Sequence, residues 1–313
     1  MAELHLDPGT LTENLTAFIG RAVEAFRRAG AIVGLSGGID SAVVAALAAR
    51  ALGPQRVLGL IMPERDSEPR SRRDALRLAR SLGIRCRVVN LTPPLVLLGV
   101  HRQVPLWVLP TRRLREKAVR RYYARYAETL GQGETPFSAV ILGTRGLEGP
   151  WLDQSVAYHR VKARLRMTVL YYHAELENLL VLGTCNRTEL AVGFFVKHGD
   201  ASADVAPLAG LYKTQVRRLA AHLGIPVEIL SRPPSPDLLP GLTDEFAIGM
   251  EYATLDRVLW RLERGEDPDS IATALGLDPA QVRYVQELTC RSAHMRAPAI
   301  TPPQMHRDVE VRE

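Results

Sequence analysis

The sequence predicts an α/β fold built on a doubly wound parallel sheet, and three observations carry that prediction. Short strand-like runs, "AIVGL", "RVLGLIMP" and "RCRVVNL", alternate with helical stretches, the pattern of right-handed βαβ units. A glycine-rich turn, Gly34-Leu35-Ser36-Gly37-Gly38-Ile39-Asp40-Ser41, joins the first run to a helix. The same strand–turn–helix order returns at "NLLVLGTCNRTEL". The 313 residues, 46% of them hydrophobic, suffice for one large domain with appendages.

In chain order, residues 11–29 read as an amphipathic helix with Leu15, Phe18, Ile19, Val23 and Phe26 on one face, stopped by Gly30. Residues 31–35 form a short buried strand and 40–52 a helix. Residues 56–63 supply the next strand, 71–83 a helix closed by Gly83, and 85–91 a third strand. From 93 to about 149 the pattern is irregular, apart from an Arg/Tyr-rich helix over 111–130. Regularity returns with a helix near 154–174, a strand at 178–184 and a helix around 187–192. A Gly/Asp loop and the helix "YKTQVRRLAAHLG" follow. The end is helical over 250–263, 268–275 and 279–294. "DPDSIATALGLDPAQVRYVQEL" reads as a helical pair with Asp-Pro starts. No basic recognition face develops on it, which favours packing over DNA binding.

The formal charge of +6 comes from arginine-rich clusters, "EPRSRRDALRLAR" and "TRRLREKAVRRYYARY". Such a balance suits anionic partners, although each cluster also fits a solvated helix face. Cys86, Cys185 and Cys290 form neither a metal-ligand pattern nor an even disulfide set. The first residues carry Asp and Glu and do not resemble a secretory signal, and no charge-free apolar stretch is long enough for a bilayer, so a cytoplasmic protein without a membrane partner is expected.

The glycine turn has two readings. Glycines let a bulky anion approach backbone amides, and a helix starting there aims unpaired N–H groups at it. Asp40 would repel phosphate unless a divalent cation bridged the two. The competing reading is a capped helix start, since Asp and Ser are common caps. The usual loop for γ-phosphate cleavage, G-x-x-x-x-G-K-[ST], is not present.

Ser36-Gly37-Gly38-Ile39-Asp40-Ser41 resembles the pyrophosphate loop (PP-loop) of the ATP pyrophosphatase superfamily. Its members cleave ATP between the α- and β-phosphates, adenylate a substrate and release pyrophosphate. "VLGTCNRTELAVGFFVKHGDASADVAPLAGLYKTQVRRLAAHLGIP" and "RPPSPDLLPGLTDEFAIGMEY" further resemble the NAD synthetases within that group. The resemblance implies an adenine nucleotide alpha-hydrolase-like sheet, with an inserted Arg/Tyr-rich segment at about 93–149 and a helical C-terminal extension at about 265–313 on a single domain.

By the same resemblance, ATP is the co-substrate and meets Gly34, Leu35, Ser36, Gly37, Gly38, Ile39, Asp40, Ser41, Thr184, Lys213 and Ser235. Asp40 and Glu189, from the ends of two different strands, hold Mg²⁺. Arg164, Lys197, Asp204 and His294 bind deamido-NAD. Asp200 stands near the pyridine ring and the reacting carboxyl, so Asp40, Asp200 and Lys213 are the expected catalytic set. The nicotinate carboxylate attacks the α-phosphorus of ATP, and ammonia then displaces AMP from the adenylate to leave the amide. Cys185, inside the site motif, is read as packing.

Glutamine-using members carry a large amidase domain before the loop. Only about one helix precedes Gly34 here, so free ammonia or a separate donor is expected. A homodimer is expected because the family shapes its dinucleotide site between subunits. Other readings are a related ligase adenylating a different carboxylate, a tRNA-modifying ATP pyrophosphatase, or a nucleotide-binding scaffold without activity.

Three departures stand out from the family pattern. His159-Arg160 replaces Gly-Asn before the Lys-Ala-Arg helix, two large side chains that would remodel the dinucleotide pocket. His294-Met295 replaces His-Lys, with Arg291 or Arg296 as candidate substitutes for the lost charge. The 93–149 segment reads first as a surface elaboration or oligomer contact, and second as an Arg/Tyr arm for RNA.

Overall fold

The structure is a computed structural model that describes residues 4–103, 108–130, 134–143, 150–235 and 240–299. Four strands, β1 Gly30–Gly34, β2 Val57–Ile61, β3 Arg85–Val88 and β4 Leu179–Leu182, form an all-parallel sheet in the order β3-β2-β1-β4. The helices are α1 Pro8–Ala25, α2 Ile39–Leu52, α3 Pro69–Ser81, α4 Thr92–Leu97, α5 Val100–Gln103, α6 Arg112–Ala127, α7 Pro136–Leu142, α8 Pro150–Leu176 and α9 Arg187–Val192. After them come α10 Lys213–His222, α11 Val227–Leu230, α12 Asp244–Ile248, α13 Tyr252–Leu262, α14 Pro268–Leu275, α15 Pro279–Arg291 and α16 Ala293–Arg296.

Strand side chains alternate between two cores, as the two-residue period of a strand requires. Ala31, Val33, Val57, Ile61, Leu180 and Leu182 pack with α1, α2, α3 and α10. Ile32, Leu58, Leu60, Leu179 and Val181 pack under Met167, Leu170 and Ala174 of α8. Because both faces are covered, β1, β2 and β4 read as continuous apolar runs. α2 is buried on nearly all sides, from Ala42 to Ala48, which explains its Ala/Val composition. The chain lays down β1, β2 and β3 in one direction and returns to place β4 on the other side of β1. The sheet therefore has its switch point between β1 and β4, where open α/β sheets bind ligands.

A further core joins α9, α12, α13, α14 and α15. Ile271, Val282, Val285 and Leu288 are fully buried against Ile248, Tyr252 and Leu255, so the Asp-Pro helical pair is a packing element. Asp267 and Asp278 cap these two helices through their carboxylates.

Two local expectations are corrected. α1 starts at Pro8 on an Asp7 cap and ends at Ala25; Ile19 and Val23 are buried, but Phe18 and Phe26 are 40% and 54% exposed. Its buried face is narrower than the apolar spacing implies. Gly30 is no helix stop. It opens β1, where a Cβ would lie 2.1 Å from the Arg56 carbonyl oxygen. β3 is an exposed edge whose Arg85 and Arg87 both pair with Glu177. Cys86, Cys185 and Cys290 are free thiols, and no helix among the described residues is long and apolar enough to cross a membrane.

Candidate active site

A cavity of about 400 Å³ opens at the β1/β4 switch point. One edge is the glycine turn. The helix that follows it, α2, has Gly38 as its N-cap and no side-chain cap. The backbone N–H groups of its first turn therefore have no side-chain acceptor, which removes the capped-helix reading and agrees with an anion cradle. Ser36 and Ser41 shape the cradle rather than extend from it. Their hydroxyls lie 3.1 Å apart, Ser36 Oγ accepts from Gly38 N–H at 3.2 Å, and Ser41 Oγ donates to the Gly38 carbonyl at 3.1 Å. Gly37 has φ +77°, and a Cβ there would stand 2.4 Å from the Ser71 carbonyl oxygen, so only glycine fits.

Asp40, in the first turn of α2, reaches across the switch point to residues that follow β4. Asn186 caps α9, accepting from Glu189 N–H at 3.0 Å, and donates its side-chain N–H to Asp40 Oδ1 at 3.0 Å. Glu189 closes the capping box through one oxygen and turns the other to the cavity. Between them lies Lys213, the first residue of α10. Its Nζ is 2.6 Å from Asp40 Oδ2, 2.9 Å from Glu189 Oε1 and 4.0 Å from Asp244 Oδ2, with the Tyr252 ring 5.1 Å away. A lysine at a helix N-terminus is electrostatically disfavoured, and these carboxylates are what hold it there. The α10 start is pinned by Asp256, which accepts from Thr188 Oγ1 at 2.6 Å and Thr214 N–H at 2.8 Å, while Lys213 N–H donates to Thr188 Oγ1.

Three carboxylates crowd one ammonium, and their mutual repulsion is answered in part by protonation. Burial disfavours the Lys213 charge, but Asp40, Glu189 and Asp244 outweigh it and hold the lysine pKa above its ordinary value. Burial, then repulsion from Asp40 and Asp244, pushes Glu189 up despite Lys213. Oxygen donors with surplus negative charge fit a hard divalent cation shared with phosphate.

Asp244 is 4% exposed and is pushed up to about 6 by burial, against Lys213 and the Tyr252 hydroxyl, which lower it. The folded chain keeps this proton from about 3.8 to about 6, where the unfolded chain has released it. Stability of the ligand-free protein therefore falls as pH rises through that window. Asp244→Asn, which has no proton to lose, should gain about 2–3 kcal/mol relative to the parent between pH 4 and pH 7. Urea midpoints across that range read it; a constant difference would contradict the assignment.

Thr184, Glu189, Asp200, Lys213 and Ser235 line the cavity together with Gly34, Leu35, Ser36, Gly38, Ile39, Asp40 and Ser41. Ser235 Oγ donates to the Leu242 carbonyl at 2.7 Å. Asp200 is exposed where it lines the cavity; the protein around it shifts its pKa upward, and one oxygen accepts from Val196 N–H at 2.7 Å. Cys185 is buried with its thiol pKa raised by burial and its Sγ against the Asp200 carbonyl, a packing residue.

The residues expected to bind the dinucleotide, Arg164, Lys197, Asp204 and His294, do not line this cavity. Arg164 Nε donates to the Lys197 carbonyl, and Lys197 Nζ donates to the carbonyls of His294 and Ala297, so these three meet on the outer flank of α8. Asp204 accepts from the Tyr171 hydroxyl and from Val181 N–H, bracing β4. His159 and Arg160 do enter the cavity wall. His159 is not the basic group its letter implies: burial pushes its pKa down to about 3, leaving a neutral ring whose Nε2 has no hydrogen-bond partner. Met295 lines the cavity too, but Arg296 is no substitute for a lost lysine, because its guanidinium is engaged by the Leu190, Ala191 and Thr289 carbonyls.

Reasoning from sequence missed Asn186, Asp244, Tyr252 and Asp256. Asn186 and Glu189 carry a readable capping-box spacing, whereas Asp244 and Asp256 give no local signal. Beside the cavity, Glu64, Asp66 and His101 bring donor atoms within 4.8 Å of one another. Lys162 Nζ bonds both carboxylates at 2.9 Å and Arg65 pairs with Asp66, so the cluster is charge-balanced without a metal.

The family model described as NAD synthase matches residues 11–107 and 144–299, leaving 108–143 outside the match. The chain is 41% identical over 288 residues to an NH(3)-dependent NAD(+) synthetase of Coprothermobacter proteolyticus, covering 88% of this chain and 94% of that one. Among solved structures, an NMN synthetase from Francisella tularensis matches with a TM-score of 0.69 at 27% identity, over 96% of this chain and 100% of that one. An NH3-dependent NAD synthetase from Campylobacter jejuni matches with a TM-score of 0.63 at 25% identity, over 95% and 100%.

Proposed function

This chain belongs to the NAD synthase family, and we infer that it is an ammonia-dependent NAD synthetase, an ATP-dependent ligase that amidates the nicotinate carboxylate of deamido-NAD. The observation that carries the reading is the meeting of an uncapped α2 start with Asp40, Glu189 and Lys213 at the sheet's switch point.

In the first step a carboxylate oxygen bonds to the α-phosphorus and pyrophosphate leaves. The α2 amides and Lys213 receive the departing charge, the lysine as a compact cation on a flexible stem. Asp40 and Glu189 would hold Mg²⁺, which when bound neutralises charge on the phosphates. Thr184 and Ser235 position the nucleotide. In the second step ammonia bonds to the acyl carbon, AMP leaves and one proton is shed. Asp200, with a pKa near 6, is the carboxylate placed to take it. Arg164, Lys197, Asp204 and His294 belong to the dinucleotide side. Because Arg164, Lys197 and His294 lie on the open flank of α8, a second copy of the chain completes that side. Sedimentation reading a single 34.6 kDa unit would remove the homodimer from the proposal.

The test combines protein, ATP, Mg²⁺, ammonium and deamido-NAD, and follows AMP and NAD. Equal formation of both is expected. AMP only when tRNA is added, or no turnover with any acceptor, would overturn the reading. Nicotinate mononucleotide serves as the competing acceptor, since one structural neighbour is an NMN synthetase; preference for it would reassign the substrate.

A further inference from the structure

Residues 108–143 lie outside those matched by the family model, yet α6 and α7 within them build a wall of the cavity. Tyr123 of α6 and Pro136, Phe137, Val140 and Ile141 of α7 line it. No side chain among these five offers the cavity a free polar group. The Tyr123 hydroxyl donates to the Ala247 carbonyl and accepts from Phe137 N–H, each at 3.2 Å. The neighbouring Thr135 and Ser138 hydroxyls are consumed by the capping box of α7.

The wall is braced at several points. Arg112 Nη1 donates to the carbonyls of Asp66 and Ser67 beyond β2, and Arg120 Nε donates to the Gly241 carbonyl. The Tyr123 ring lies 5.3 Å from Phe246. Phe137 packs edge-on against Phe194 at 5.0 Å, and a Cβ on Gly193 would lie 3.4 Å from Ile141 Cδ1. The same cavity is lined by Asp200, the carboxylate that the functional reading places beside the reacting acyl group.

We propose that this wall keeps water from the acyl-adenylate, so that ammonia is the nucleophile that reaches it. The proposal rests on the NAD synthetase reading. Water attack on the adenylate would form a carbon–oxygen bond, expel AMP and release two protons, returning deamido-NAD and wasting one ATP. Water far outnumbers ammonia, so chemistry alone does not select the amine. A water held in a cavity needs two to four polar partners, and this wall supplies none. Closing a site with apolar surface suppresses that hydrolysis.

The experiment counts AMP and NAD. Val140→Thr keeps the side-chain shape and adds a hydroxyl; Phe137→Ala opens the wall. The parent should release one AMP per NAD at saturating ammonium. Both variants should release about twofold or more AMP than NAD, and about tenfold more AMP than the parent without ammonium. Phe137→Leu, still apolar, should bring the ratio back to one. A ratio of one in Val140→Thr and in folded Phe137→Ala, whatever their rates, would overturn the proposal; should Phe137→Ala not fold, Val140→Thr decides. If the parent makes no NAD at all, the functional reading has failed and not the wall.

Discussion

Asp40→Asn is expected to lower turnover by about a thousandfold or more while the protein stays folded. Asp40 is a proposed metal ligand, and its carboxylate is shared between Asn186 and Lys213. The amide replaces an oxygen with an N–H donor facing the Lys213 ammonium, so it neither holds a cation nor attracts the lysine. The fold survives for an electrostatic reason. Glu189 and Asp244 still face Lys213, and the crowd of negative charge that raises the Glu189 pKa is relieved. Stability within about 1–2 kcal/mol of the parent is expected. Circular dichroism and urea unfolding check the fold, and AMP release checks the chemistry. Retained turnover in a folded Asp40→Asn protein would remove Asp40 from the catalytic set.

Lys213→Met should damage both properties. Removing the ammonium leaves Asp40, Glu189 and Asp244 facing one another in the protein, and breaking a buried pair of this kind costs about 3–5 kcal/mol. Turnover should fall by about 10²–10³-fold from the lost stabilisation of departing phosphate charge. Added Mg²⁺ should return part of the stability, because a divalent cation answers the same surplus charge, without returning the rate. Lys213→Arg should not rescue turnover, since a planar fork does not fit the point between two carboxylates that a compact ammonium occupies. A Lys213→Met protein as stable as the parent without Mg²⁺ would show that the carboxylates are not crowded.

The two variants differ in stability because one removes a surplus charge and the other removes its counter-charge. Sequence reasoning placed Asp40, Glu189 and Lys213 in one site through a resemblance. It did not show that Lys213 sits between the carboxylates, or that Asp244 is the third of them. The same limit applies to His159, whose neutral state comes from burial among residues far along the chain. Phe18 and Phe26 show it on a smaller scale: their spacing fits an apolar helix face, but α1 meets the core along a narrower strip than that face.

By itself the sequence determined the alternation of strands and helices, the glycine turn at the first strand end and the residue types gathered for phosphate chemistry. These are local properties, set by two- and 3.6-residue periods and by the backbone needs of a turn. Tertiary structure alone decided that α2 starts without a side-chain cap, that Lys213 bridges two carboxylates, and that residues of α6 and α7 form an apolar wall. Asp40 and Lys213 stand 173 residues apart. Contacts over such distances depend on how whole layers pack, and burial and charge acquire their values only once those layers have met.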